Sequence, residues 1–153
     1  MSIAERLEAL GISLPPVAKP AAAYVPYVRS GALVHVSGHI ARRDGVPLAG
    51  KLGAGLATTD GRAAARAVAI DLLGTLRDAC EGDLERVARI VKLVVLVNST
   101  PDYTEQHLVA NGCSELLVEV FGAAAGAHAR SAFGVAQLPM GSCVEIELVA
   151  ELK

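Results

Sequence analysis

Tryptophan is absent from this chain, and tyrosine and phenylalanine supply only five residues: Tyr24, Tyr27, Tyr103, Phe121 and Phe133. So few aromatic faces leave little surface for stacking unpaired bases, which argues against a single-strand-binding protein. Basic runs are lacking too. Fourteen Lys plus Arg stand against sixteen Asp plus Glu, the net charge is −2, and no cluster is dense enough to track a phosphate backbone. Nucleic acid is therefore not expected as the principal partner. Cys80, Cys113 and Cys143 are odd in number, widely spaced and in no C-x-x-C pattern. That excludes a disulfide framework or a zinc ribbon and points to a reducing compartment. No apolar run reaches the length of a membrane span. The opening MSIAERLEALGI carries Glu5, Arg6 and Glu8, which suits a short amphipathic helix better than a secretory signal. A soluble, cytoplasmic protein with no membrane partner is the expectation.

Hydrophobic residues make up 52% of the 153, enough for one compact core. We read a single domain over 1–153, with an N-terminal helical extension over about 1–14. Pro15, Pro16 and Pro20 keep the next segment extended. Tyr27-Val28 then leads through Arg29-Ser30-Gly31 into the alternating LVHVSGHI, which predicts a β-hairpin. Gly45, Pro47, Gly50, Gly53 and Gly55 break every period, so this stretch reads as loop or short irregular strand. From about Thr59, Ala65, Val68, Leu72, Leu76 and Ala79 recur at steps of three and four, which predicts a helix of roughly twenty residues ending at Gly82. IVKLVVLVN reads as a buried strand. Thr100-Pro101-Asp102 reads as the start of a second helix that runs toward Phe121, with an interruption at Asn111-Gly112. RSAFGVAQL and CVEIELVAEL complete the order as a second hairpin turning over Pro139 to Gly141. The result is an α+β fold with helices on one face of a mixed sheet. In the last strand Val144, Ile146, Leu148, Ala150 and Leu152 share one face, while Glu145, Glu147, Val149 and Glu151 share the other. A polar face so poor in bulk is suited to being covered by another copy of the chain.

The common nucleotide, hydrolase-elbow and zinc-protease motifs are missing. His35, His39 and His128 have no acid or cysteine at ligand spacing, so no metal site is assigned. Cys113 and Cys143 read as core packing. Asp44, Asp60, Asp71, Glu81 and Asp83 read as caps and solvated helix faces. Arg130 stands apart, because it follows a run of Ala and Gly with no acid nearby, at the start of a strand. Its planar fork matches a carboxylate, yet the residues alone favour an exposed strand-edge arginine over a ligand role.

The segment HARSAFGVAQLPMGSCVEIELVAEL resembles the signature of the Rid family, the reactive-intermediate deaminases also called YjgF-like proteins. PYVRSGALVHVSGHI resembles the family's first hairpin with its Ser-Gly. Gly82-Asp83-Leu84 followed by VARIVKLVVLV resembles its central helix-strand unit, so the likeness covers about residues 15–152. The resemblance implies a chorismate-mutase-like α+β fold, a mixed sheet with two main helices packed on one face, assembled as a homotrimer with clefts between subunits. It implies hydrolysis of small imines and enamines, such as 2-aminoacrylate, to 2-keto acids and ammonia, with no metal and no cofactor. The alternative is a non-catalytic trimer that binds small carboxylate metabolites as a sensor or regulator. By the same likeness Arg130 grips the substrate carboxylate and Glu145 positions or activates water. Tyr27 lines the cleft, Ser37 and Gly38 lie beside the ligand, and Asn111 matches a cleft asparagine. RNA cleavage, sometimes claimed within the family, sits badly with the charge and aromatic content. His128 replaces a frequent proline, Met140-Gly141 forms the turn, and the segment around Asn111 is longer than usual, which marks a divergent subgroup.

Overall fold

The structure, a computed structural model, describes residues 1–17, 20 and 22–153. Helix α1 (Ile3–Ala9) opens with a reciprocal cap, in which Ser2 Oγ accepts from the Glu5 N–H and the Glu5 carboxylate accepts from the Ser2 N–H. There follow β1 (Tyr27–Ser30), β2 (Leu33–Ile40), β3 (Arg42–Arg43), β4 (Val46–Pro47), β5 (Lys51–Leu52) and β6 (Gly55–Leu56). The second half holds α2 (Thr58–Ala79), β7 (Val87–Asn98), α3 (Gln106–Gly126), β8 (Ala129–Val135) and β9 (Val144–Leu152). One five-stranded sheet runs in the order β1-β2-β9-β7-β8, with β8 parallel to β7 and the other pairs antiparallel.

The first hairpin forms as its alternation predicts. The second does not form, because β9 leaves β8 and inserts between β2 and β7. Two features explain this. The β7–α3–β8 unit is a parallel crossover that puts β8 at the sheet edge. And β9, whose Val144, Ile146, Leu148, Ala150 and Leu152 are all buried, is the strand that most needs two neighbours and a helix layer. The connection is pinned across the end of the sheet by Cys143 N–H donating to the Leu48 carbonyl at 2.9 Å and Gly50 N–H donating to the Gly141 carbonyl at 3.0 Å.

α3 also departs from the pattern at three points. It starts at Gln106 rather than Pro101, since Thr100 folds a turn onto Asp102, donating its hydroxyl to the carboxylate at 2.7 Å. It runs unbroken through Asn111-Gly112, where a Cβ at Gly112 would collide with the Arg62 carbonyl of α2. Glycine is thus the residue that lets the two helices touch. The break falls instead at Gly122 (φ 81°), and Arg6 of α1 fills it, donating to the Val120 carbonyl at 3.4 Å. By length and composition α3 could cross a membrane, which the sequence reading had not expected. Its Val109, Ala110, Cys113, Leu116, Leu117 and Val120 are instead buried within the core that α2 and the sheet share. Leu72, Leu73 and Leu76 of α2 are fully buried in the same core. Truncating one of them to Ala is expected to cost about 2–5 kcal/mol.

Candidate functional site

At the edge strand β8, Arg130 turns its side chain onto α3. Nη1 donates to Asn111 Oδ1 at 2.9 Å and to Ser114 Oγ at 3.1 Å, and Nη2 donates to the His107 carbonyl at 3.2 Å. Three of the five N–H groups are thereby held, leaving two for a carboxylate. The relay continues outward. Ser114 Oγ lies 2.9 Å from His128 Nε2, and His128 Nδ1 lies 2.7 Å from the Gly126 carbonyl. A carbonyl only accepts, so Nδ1 carries the proton and Nε2 accepts from Ser114. Burial holds His128 below the ordinary imidazole pKa, with the Arg130 charge acting in the same direction, so the neutral ring suits its place. Beneath, burial pushes the Cys113 thiol up to about 12, which removes it as a nucleophile.

The other expected residues gather elsewhere. β1 pairs with β2 only as far as Val36, and β2 then bulges at Ser37-Gly38 before rejoining β9 at His39. Along the edge so exposed lies a cavity of about 700 Å³. Ser37, Gly38 and Glu145 line it together, under a roof that includes Pro15, Pro16 and Tyr24. Glu145 packs directly over Gly38, where a Cβ would stand 2.5 Å from its Oε1. Burial, with Glu147 on the same strand face, pushes the Glu145 carboxyl above the usual range, so it is a stronger base than a solvated one. Tyr27 does not line this cavity, because its hydroxyl donates to Asp78 of α2 at 2.9 Å. Tyr24 does.

Four further side chains at the cavity had no signal in the sequence beyond their type. His39 bonds the Ser37 carbonyl through Nδ1 at 2.8 Å and Thr75 Oγ1 through Nε2 at 2.9 Å, tying the bulge to α2. Asp71 lies one helical turn before Thr75, and Arg42 enters from β3. The only route to finding them in advance was the period of α2, which places 71 and 75 on one face. Met140 also reaches the cavity, from a left-handed backbone (φ 58°) that a non-glycine residue holds only under strain.

Within one chain these two groups of residues cannot meet. Glu145 pairs with Leu96 of β7, which pairs with Phe133 of β8, three residues along from Arg130. Strand spacing and rise put the two positions roughly 14 Å apart in the plane of the sheet. They also face opposite sides, since Arg130 bonds α3 while Glu145 alternates with the helix-facing Val144 and Ile146. Among the described residues no cluster of His, Cys, Asp and Glu could hold a metal.

The five-stranded mixed sheet with its packed helices defines a class, small α+β proteins of one mixed sheet and two long helices. The family model described as "YjgF/chorismate_mutase-like, putative endoribonuclease" matches residues 4–152, and the chain belongs to this YjgF/Rid family. The Trypanosoma cruzi protein TCP17 is 52% identical over 98% of this chain and 94% of its own. The Agrobacterium tumefaciens protein Atu1372, described as of unknown function, superposes with TM-score 0.90 at 38% identity, over 99% of this chain and 93% of that one. A Shewanella oneidensis protein described as a "putative endoribonuclease" superposes at 0.94 with 33% identity, over 99% and 100%. Escherichia coli TdcF with bound serine, at 22% identity and TM-score 0.58 over 92% and 94%, shares the fold.

Proposed function

We propose that the chain hydrolyses small imines derived from 2-amino acids to 2-keto acids and ammonia, in a site that a second copy completes, within a homotrimer. The observation that carries this is the separation just described. A carboxylate anchor with two N–H groups to spare and a base of raised pKa lie on opposite faces of one sheet, and each lacks the other. A neighbouring copy can bring its Arg130 to the cavity around Glu145.

The chemistry asks little more. An enamine of the 2-aminoacrylate type takes a proton on its terminal carbon and becomes an iminium. Water adds to C2 and gives a proton to Glu145. That proton passes to the nitrogen of the carbinolamine, the C–N bond breaks with its electron pair leaving on ammonia, and the hydroxyl proton departs as the C=O forms. Arg130 of the second copy holds the carboxylate, so the reaction centre is fixed relative to the base. A protein of the same fold, TdcF, is described with bound serine, an amino acid, which suits a ligand with this carboxylate. For RNA cleavage the support is thin: net charge is −2 and Tyr24 is the one Tyr, Phe or Trp among the described cavity-lining residues.

The test is keto-acid appearance when a pyridoxal-phosphate dehydratase releases the imine in the cuvette. The purified protein is expected to accelerate it, and Arg130→Ala to abolish the acceleration. An unchanged rate with the intact protein rejects the proposal. Keto-acid binding without turnover would establish the sensor reading in its place.

A further inference from the structure

Arg42 and Asp71 line the cavity from β3 and α2, on the helix side of β2, while Glu145 lines it from β9. Neither Arg42 nor Asp71 has a hydrogen bond or ion pair among the described residues, although both are partly buried. Glu145 is likewise without a hydrogen bond or ion pair among the described residues, whereas two other half-buried charges are engaged. Lys51 donates to Asn98 and to the Ala136 carbonyl, and Arg130 donates to Asn111, Ser114 and His107. His39 and Thr75, between them, are spent on each other. An imine of three carbons that is held at its carboxylate and attacked beside Glu145 would leave this end of the cavity empty.

A guanidinium only donates hydrogen bonds and an ionised carboxylate only accepts them. The head group that satisfies both at once carries an acceptor and a donor side by side and no net charge. A second carboxylate would suit Arg42 but face Asp71 and Glu145. An ammonium would suit Asp71 but face Arg42, and an alkyl side chain would strip water from both without replacing its bonds. Building on the imine-hydrolase reading, we propose that Arg42 and Asp71 select a substrate whose side chain ends in a carboxamide, its C=O on Arg42 and its NH2 on Asp71. Burial raises the Asp71 carboxyl above its ordinary range, with His39 and Arg42 acting the other way, and an amide N–H donated to it favours the ionised form.

Asparagine, aspartate and leucine have side chains of nearly one shape, so they separate head-group chemistry from size. Amino acid oxidases generate the three imines in the presence of semicarbazide, which traps whatever imine the protein fails to hydrolyse. The asparagine-derived imine is expected to be processed at least tenfold faster than either of the others. Asp71→Leu and Arg42→Leu, each assayed alone, are expected to shrink that ratio below about twofold. Calorimetric binding of the three free amino acids gives a second readout that needs no turnover. If no imine is hydrolysed, the deaminase reading fails while the binding order still decides this one. Tighter binding of asparagine by about tenfold supports the carboxamide site. Equal binding, or a preference for aspartate or leucine that survives in both variants, overturns it.

Discussion

Replacing Gly38 by alanine is the most discriminating single change at the cavity. Gly38 lies on a strand bulge with no left-handed φ, so alanine suits its backbone. What the new methyl meets is the base: its carbon would stand 2.5 Å from Glu145 Oε1 and 3.2 Å from Cδ, where ordinary contact begins near 3.4 Å. The carboxylate must therefore withdraw by about 0.9 Å, and a misplacement near 1 Å of a group that touches the reacting atoms costs on the order of 10²-fold in rate. Stability should hardly change, since the loss of chain freedom in the unfolded state favours alanine by about 0.4–1 kcal/mol and offsets the rearrangement. The assay is kcat/KM for imine hydrolysis beside Tm for the same preparation. A fall of about a hundredfold at a Tm within about 3 °C of wild type is expected. A Gly38→Ala protein that keeps a third or more of wild-type kcat/KM would refute the placement of Glu145 as the base.

Four other outcomes follow from the same geometry. Arg130→Lys is expected to raise KM at least tenfold, because a single ammonium cannot keep Asn111, Ser114 and the His107 carbonyl while presenting two parallel donors. His128 fits only as the neutral ring, and its depressed pKa means that its contribution to stability is present above the unfolded value of 6.5 and lost as pH falls through the folded one. Thermal melts should therefore show wild type losing more Tm than His128→Gln between pH 7 and about pH 5. Glu145 has the opposite sign: its pKa is raised on folding, so its contribution is present below the ordinary value of 4.5 and lost as pH rises through the folded one. Glu145→Gln should abolish hydrolysis yet melt no lower than wild type at pH 7, as calorimetry would show. Finally, Arg6→Ala removes the donor that satisfies Val120 at the α3 break and is expected to cost about 1 kcal/mol in urea unfolding.

Periodicity carried far in this chain where one face is plainly apolar. The step of three and four from Ala65 to Ala79 located α2, and the alternation of CVEIELVAEL assigned both faces of β9 correctly. Pairing was less legible, because a strand's own residues do not say which neighbour it takes. RSAFGVAQL and CVEIELVAEL look like a hairpin, yet the demand of β9 for two partners sends it to the middle of the sheet. Gly112 and Gly122 exchanged roles for a similar reason, since a glycine that breaks a helix and one that admits a neighbouring helix read alike in sequence. Of the candidate site, Ser37, Gly38 and Glu145 come together in one cavity, and Asn111 meets Arg130. The family resemblance, not the pattern, supplied those names. Asp71 and His39 read as a solvated acid and a satisfied strand histidine, because nothing local reveals that a proline-rich segment will roof them over.

The central claim is that one site takes Arg130 from one copy and Glu145 from another, and complementation tests it most directly. Arg130→Ala and Glu145→Gln proteins, each inactive alone, are unfolded together, refolded as a one-to-one mixture and assayed for imine hydrolysis. Random assembly pairs an intact Arg130 with an intact Glu145 at about a quarter of head-to-tail interfaces, so about a quarter of wild-type activity is expected to return. A mixture that assembles and stays as inactive as its components would contradict the shared site.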